Sequence, residues 1–387
     1  MKHASTINRG VEIGLRFIGM WPDSAYPTLY WSTYMTVIAV LQYFQYSYVI
    51  AHFDISNLQI LTDCLGLALA TTLAFFKLFV LMWNRKIFYN ILAAMDRDWN
   101  ECVISGYGST MVIAASQSRR SSVVLIGIHA LAGFFFSVGA YVIRTVNNIH
   151  TDEPGTIPRE FPVKMDVPPE VLETPLFECI LVGQFLYELS LASVVGMIDA
   201  LFAALIIHVG GQIDIMRQVV MEISNSNDLD RSLSVIKDLI RRHRKIITLA
   251  NDIEDLFSSI ALMQLLWNTL IICCSGFMII LALNMKKGTA ILIKSTLLYA
   301  CKTLEVFVFC YAGEFLSSKS KSISDAIYES LWYKLVPSNS RALLFIMLRS
   351  QKRLTITAGK IVDLTLEGFM SVMKASVSYM SVLHAMY

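Results

Sequence analysis

Long apolar runs divide this chain, and seven of them approach the length of a membrane-crossing helix. A helix needs about 20 predominantly apolar residues to cross a hydrocarbon core of roughly 30 Å. The pattern therefore predicts an all-α fold, a single membrane domain over residues 1–387 with seven transmembrane helices. The predicted spans are approximately Leu29–Ile50, Cys64–Met82, Ser122–Ile143, Cys179–Val209, Ile260–Asn284, Thr289–Gly313 and Gly368–Tyr387.

Two connections between these spans are charged but keep apolar residues at helical spacing. In Asp228–Phe257, residues such as Leu233, Ile236 and Leu239 recur among lysines and arginines. That spacing is typical of an amphipathic helix outside the membrane. Ser317–Leu366 has a similar helical pattern. We expect spans four, five and six to continue into these segments, which would pack together as a cytoplasmic anchor.

The composition agrees with a chain that lipid surrounds over most of its surface. Hydrophobic residues make up 55% and charged residues 16%, whereas soluble domains carry roughly 25% charged residues. The net charge of +2 gives no indication of a nucleic-acid partner. Most of the seven cysteines lie in or beside apolar runs, and Cys102 is expected in a charged loop, so we predict free cysteines. The first residues lack the features of a cleaved signal peptide.

The distribution of lysines and arginines predicts which side of the membrane each connection occupies. An N-terminus on the inside places most basic residues of the connections on the cytoplasmic side, as expected from the positive-inside rule. Seven spans then place the C-terminus outside. A G-protein-coupled receptor has the opposite orientation, so the charge pattern argues against that class.

The sequence offers no basis for catalysis, but it carries ionisable residues inside predicted spans. It contains no P-loop, no GxSxG or HExxH motif and no metal-ligand spacing, so we expect neither an enzyme nor a bound cofactor or metal. Charged residues within a membrane are costly and suggest a function. Glu188, Asp199, Lys302 and Glu305 could pair with one another or bind a ligand or ion. Lys77, near the inner end of span two, is expected to extend its amine towards the interface.

The seventh predicted span has small and polar residues along one face. On a helical wheel Ser371, Ser378, Val382 and Met386 lie on the same side. Such a face fits a wall that contacts water, but small residues also line tight helix contacts. The spacing alone does not separate these two interpretations.

The last part of the chain resembles the C-terminal signature of insect odorant receptors. Where that family commonly has a proline after the Arg-Ser-Gln stretch, this chain has Lys352-Arg353 before Leu354. An earlier stretch, Pro175-Leu176-Phe177-Glu178, also fits the start of span four. The matching C-terminal stretches are Phe309-Cys310-Tyr311-Ala312-Gly313, Ala326-Ile327-Tyr328, Leu331-Trp332-Tyr333, Leu348-Arg349-Ser350-Gln351, Thr357-Ala358-Gly359-Lys360 and Met373 to Leu383.

The resemblance implies an odorant-binding tuning subunit of a ligand-gated, non-selective cation channel in the plasma membrane of olfactory neurons. It further implies a hetero-tetramer with the odorant co-receptor, whose subunits meet mainly through the cytoplasmic anchor. The last helix of each subunit would line the pore, with a gate at Val382, a second apolar ring at Met386, and Ser378 one turn deeper. A gustatory receptor of the same fold and a metabotropic seven-helix receptor remain the alternatives.

The resemblance also places a volatile ligand in the outer half of the helical bundle. Such a ligand offers few hydrogen bonds, so its site should be apolar, aromatic and enclosed. Depth and the family's pocket location favour Phe136, Gly139 and Tyr187. The full predicted ligand-binding set is Leu65, Leu69, Thr72, Phe135, Phe136, Gly139, Tyr141, Phe185, Tyr187, Glu188 and Tyr299.

Overall fold

The fold is an almost entirely helical bundle. The computed structural model describes residues 6–52, 58–139, 161–165, 171, 173–223, 229–285 and 288–386. A short 3-10 turn, Trp332–Lys334, precedes α9, and a π-helical turn, Phe135–Gly139, follows α5. The elements are α1 (Arg9–Phe17), α2 (Pro27–Ala51), α3 (Leu58–Trp83), α4 (Arg85–Ile104), α5 (Gly108–Phe134), α6 (Leu176–Ile223), α7 (Leu229–Asn284), α8 (Thr289–Glu329), α9 (Pro337–Gln351), β1 (Thr357–Ala358), β2 (Val362–Asp363) and α10 (Leu366–Met386).

Each of the seven predicted spans lies on a helix wherever the structure describes it. By length and composition, four helical segments within the described ranges could cross a membrane: Leu61–Trp83, Gly108–Val138, Leu176–Glu222 and Ser234–Asn284. Polar residues lower the hydropathy of the other three spans: tyrosines and glutamines in α2, charged residues in α8 and serines in α10. The end of the third predicted span, Ala140 to Ile143, lies outside the described residues.

The three central helices are much longer than a bilayer requires. α6 has 48 residues, α7 has 56 and α8 has 41. At 1.5 Å per residue, α7 alone extends over roughly 80 Å. The helices that carry spans four, five and six therefore extend past the predicted spans. That these extensions lie outside the membrane stays a prediction. The side on which they emerge stays a prediction from the charge pattern.

The centre of the bundle contains three phenylalanine rings in mutual contact, one from each of these long helices, with the rings of Phe202 and Phe309 stacked. The ring centroid of Phe202 on α6 lies 4.3 Å from that of Phe309 on α8 and 4.9 Å from that of Phe257 on α7. All three side chains are buried, and Phe202 and Phe257 are completely inaccessible. Each ring can bury 150–250 Å² of surface, so the three rings fix the contact point of the three helices.

Between α9 and α10 the chain forms a two-stranded hairpin where the sequence pattern had predicted helix through Leu366. Thr357 pairs with Asp363, and Ala358 with Val362. The turn uses Gly359 and Lys360, both at positive φ, as a tight hairpin turn requires. The helical prediction was wrong here because glycine in a left-handed conformation ends a helix and permits the reversal.

A second correction concerns the connection between the second and third spans. This connection forms α4 and the first part of α5, and the loop between them covers only Ser105 to Tyr107. Cys102, expected in a charged loop, is fully buried on α4. Its Sγ atom lies 3.4 Å from the Gln212 side-chain nitrogen on α6. Most charged residues of α4 point outwards, Asp98 being buried beside His208, while the apolar face of α4 packs into the bundle, so the segment is amphipathic.

Candidate functional site

A small cavity opens inside the bundle between α3, α5, α6 and α8. Its volume is about 100 Å³. Most of its wall is aliphatic or aromatic, with Glu188 on α6 and His129, Lys302 and Glu305 as the charged or titratable groups. An enclosed, mainly apolar cavity with a few polar groups is the usual form of a small-molecule site. The apolar and small lining residues are Leu67, Ala70, Thr71, Ala74, Ala132, Gly133, Phe136, Leu191, Ala192, Val195, Leu297, Leu298 and Cys301.

The π-helical turn at the end of α5 positions Phe136 against this cavity. Phe136 is 7% exposed, whereas its neighbour Phe135 is 50% exposed and points away from the core. The Lys294 amine lies 5.2 Å from the Phe136 ring centroid and forms an ion pair of 2.9 Å with Asp63 on α3. These residues link α3, α5 and α8 at one end of the cavity.

The structure places the predicted ligand-binding residues in different surroundings. Phe136 and Glu188 line the cavity. Tyr187 is buried beside it, with its hydroxyl facing Thr71. Gly139 ends the π-helical turn, and Leu65 and Leu69 are partly buried on α3 outside the lining.

Of four other residues in the predicted ligand-binding set, three make contacts away from the cavity and one lies outside the described residues. Thr72 accepts a hydrogen bond from Gln42 at 2.6 Å and contacts the Tyr46 hydroxyl at 2.8 Å, which joins α2 to α3. Phe185 packs edge-on against Phe134. Tyr299 faces the α7 backbone at Gly276, on the side of α8 where Met380 of α10 also packs. Tyr141 lies outside the described residues.

One end of the cavity is formed by a cluster of buried charged groups. Glu305 on α8 accepts hydrogen bonds from Lys302 on the same helix, from Lys77 of α3 at 3.4 Å and from Asn268 of α7 at 3.3 Å. Lys77 also donates a 2.8 Å hydrogen bond to Asp199 of α6. Two ammonium groups therefore neutralise two carboxylates away from water, which is the arrangement a buried charge needs.

His129 of α5 completes the cluster. Its Nε2 atom lies 3.6 Å from a Glu305 oxygen and 3.8 Å from an Asp199 oxygen, and its Nδ1 atom contacts the Leu125 carbonyl oxygen at 2.9 Å. These three side chains approach closely enough to surround one ion. The amines of Lys77 and Lys302 already compensate both carboxylates, so we interpret the group as an ionic cluster that holds helices together.

This cluster bears on two predictions, one for Lys77 and one for the Lys302–Glu305 pair. Lys77 does not extend to the interface: its side chain is fully buried and paired with Asp199 and Glu305. The Lys302–Glu305 pair expected from the i, i+3 spacing is present. The sequence signal for the cluster was an equal number of acidic and basic residues inside spans two, four and six. Their spacing along the chain could not show that they meet.

One face of α10 packs against the bundle and the other is open. Met380 is partly buried against α7, where a side chain added at Gly276 would approach its sulfur to 2.6 Å. Phe369 contacts Phe307 of α8 at 5.6 Å between ring centroids. Ser378 and Val382 lie on the open face, and Val382 is 55% exposed. The side chain of Met386 lies outside the described residues.

The hairpin and α9 pack against the part of α7 that precedes the predicted span Ile260–Asn284. The hairpin docks on α7, where the Gly359 and Lys360 amides donate to the backbone oxygen and hydroxyl of Ser258 at 2.9 and 3.0 Å. His243 of α7 lies 3.4 Å from the Ser350 hydroxyl of α9. Burial and the nearby Arg349 lower the pKa of His243 to about 4.

The arrangement of long apolar helices around an internal cavity is that of a polytopic membrane protein. The family model of the 7tm odorant receptors matches residues 56–377, most of the chain. The chain belongs to this odorant receptor family, so it is a membrane protein with seven transmembrane helices.

Curated relatives and solved structures agree with this assignment. Odorant receptor 82a of Drosophila melanogaster is 22% identical over 85% of each chain. Odorant receptor 13a of the same species is 26% identical, but the match covers 49% of this chain and 48% of that protein, about half its length. The structure of the insect olfactory receptor OR5 from Machilis hrabei in complex with eugenol has a TM-score of 0.79 at 14% identity. It covers 97% of both chains, so the fold is shared.

Proposed function

We propose that this chain is the odorant-binding tuning subunit of a ligand-gated, non-selective cation channel, which it forms as a hetero-tetramer with the odorant co-receptor. We place it in the plasma membrane of olfactory neurons, with its N-terminus inside. The observation that carries the proposal is the mainly apolar cavity inside the bundle. The structure of the related OR5 in complex with eugenol supports a small organic ligand for the same fold.

A connection between the cavity and the proposed pore helix supports the channel mechanism. α8 carries Leu298 and Cys301 on the cavity side, and Phe307 further along the same helix contacts Phe369 of α10. A ligand that displaces α8 would therefore move the base of α10 without any intermediate loop. We infer that binding opens the channel through this helix.

The open face of α10 supports its place around the ion path. Four copies of Val382 around an axis would form an apolar ring, and such a ring can block ions by excluding water. Ser378, one turn away on the same face, would contact the wetter part of the pore. Met386, on the next turn in the other direction, is proposed as the second ring.

The test is odour-evoked current in cells that express the chain with and without the co-receptor. We expect current only when both are present, and a shift in odour sensitivity for Phe136→Ala at normal surface expression. Phe135→Ala is the matched control, because the adjacent ring is exposed and does not line the cavity. Equal responses of both variants and the parent would place the ligand elsewhere. An N-terminal tag accessible from outside would contradict the orientation and favour a metabotropic receptor.

A further inference from the structure

Glu188 is the only charged side chain of the cavity wall that has no place in the ionic cluster. It is 7% exposed, and its Oε1 atom is buried without a hydrogen-bond partner among the described residues. Within the same residues Glu188 forms no ion pair, and Lys294, the cation whose charge acts on it, is paired with Asp63. A buried carboxyl without a partner is unfavourable and would gain from a hydrogen bond.

The two ends of the cavity differ in what they can offer a ligand. At the end formed by the ionic cluster Lys302 donates to Glu305, and the His129 imidazole points between two carboxylates. The charges at this end are therefore compensated by one another. At the other end Glu188 and Phe136 lie among aliphatic residues. From Glu188 to Val195 the wall follows α6 for about 10 Å, and the residues between are apolar or small.

We propose that Glu188 anchors the polar end of the ligand, and that the cavity selects small apolar molecules with one hydrogen-bond donor, a hydroxyl or an amine. This proposal rests on the proposed function and names its ligand class. The carboxyl accepts the ligand's O–H or N–H bond, while Phe136 and the aliphatic wall enclose the apolar body. The volume of about 100 Å³ limits the body to a short chain or a single ring.

The experiment compares ligands of equal size that differ only in the polar end: hexan-1-ol, hexylamine, methyl pentyl ether and heptane. Dose–response currents are recorded with the co-receptor present. For the parent subunit we expect half-maximal concentrations for the alcohol and amine about tenfold below those for the ether and alkane, the effect of one hydrogen bond.

Two substitutions at Glu188 separate a hydrogen bond from an ion pair. Glu188→Leu should raise the half-maximal concentration of the alcohol about tenfold and lower that of the ether and heptane. Glu188→Gln keeps an acceptor oxygen, so the alcohol should stay within about threefold while the amine loses about tenfold if it binds as a cation. Glu178→Gln, at an exposed position at the start of α6, is the matched control and should change nothing.

The outcomes distinguish failure of this inference from failure of the proposed function. If the channel responds to odours but Glu188→Leu leaves the ratio between alcohol and ether unchanged, the anchor role is wrong. A channel that answers a broad odorant mixture but no donor of the panel also contradicts it. If Glu188→Leu does not reach the surface, Glu188→Gln decides: a loss of about tenfold for the amine with the alcohol within about threefold supports the anchor, and unchanged responses to both, or an equal loss of both, overturn it. A subunit at the surface that is silent even to the mixture contradicts the channel function itself.

Discussion

Lys77 of α3 donates a 2.8 Å hydrogen bond to Asp199 of α6, and neither side chain is exposed. The same amine reaches Glu305 of α8 at 3.4 Å, so one side chain joins three helices. Removing one partner of a buried ion pair leaves an uncompensated charge. The cluster therefore makes the relative positions of these helices depend on charge balance as well as on packing.

We expect Lys77→Met to cost about 3–5 kcal/mol of stability, because two carboxylates then face the single amine of Lys302. The measurement is surface expression together with the thermal unfolding midpoint of the purified protein. The double variant Lys77→Met with Asp199→Leu removes one charge of each sign and should recover much of the loss. Lys86→Met, at an exposed position on α4, is the control. Wild-type stability of the single variant would show that the pair is not needed.

Gly359 gives a prediction about the hairpin that follows α9. Its φ is +63°, and a Cβ atom would lie 2.6 Å from Leu262 Cδ2 on α7. Gly359→Ala should therefore add a steric clash to the cost of about 1 kcal/mol for a left-handed non-glycine residue. Gly106→Ala shares the positive φ of +84° but meets no atom within 4 Å. The difference in unfolding midpoint between the two variants measures the clash, and equal midpoints would contradict the docked hairpin.

His243 makes the stability of the packing between α7 and α9 depend on pH. Burial, with Arg349 nearby, lowers the pKa of His243 from its ordinary value of 6.5 to about 4. The unfolded chain therefore takes up a proton at this site before the folded chain does. The stabilisation is fully present above pH 6.5 and is lost progressively as the pH falls towards 4.

We expect His243→Gln to reduce the fall in unfolding midpoint between about pH 7 and about pH 5. The parent protein and a variant at the exposed His52, His52→Gln, should show the larger fall. Identical pH profiles for His243→Gln and the parent would mean that the imidazole is free to protonate in the folded state.

Assembly through the predicted anchor segments can be tested at an exposed apolar position. Leu239 is 1% exposed, so Leu239→Asp would disrupt the subunit itself, and Leu344 is only partly buried. Phe345 on α9 is 71% exposed, so a substitution there leaves the packing inside the subunit intact. Phe345→Asp should lower the recovery of tetramers with the co-receptor by several fold while the subunit stays folded. Ile104→Asp, at an 86% exposed position on α4, controls for added charge.

The helices were largely predictable from the sequence, because apolar runs and helical spacing arise from local chain chemistry. The hairpin at Thr357–Asp363 was missed, since its turn depends on the backbone conformation of two residues. Lys77 was misread because its partners, Asp199 and Glu305, are far away in sequence. Phe136 and Glu188 line the cavity, whereas Tyr299 faces α7, because the rotation of α8 depends on tertiary packing that the sequence pattern does not show.

The gate assignment yields the last prediction. Val382 lies on the open face of α10 and is 55% exposed, while Leu383 beside it packs against α7. If four copies of Val382 close the ion path by excluding water, a hydroxyl there lowers the barrier to wetting. Val382→Ser should therefore raise the basal current or alter ion selectivity, and Met386→Ser should add to the effect. Val377→Ser is the matched control, because it makes the same change on the same helix about 140° away. The assignment fails if leak, selectivity and blocker sensitivity stay unaltered when the co-receptor residue at the same level is also replaced.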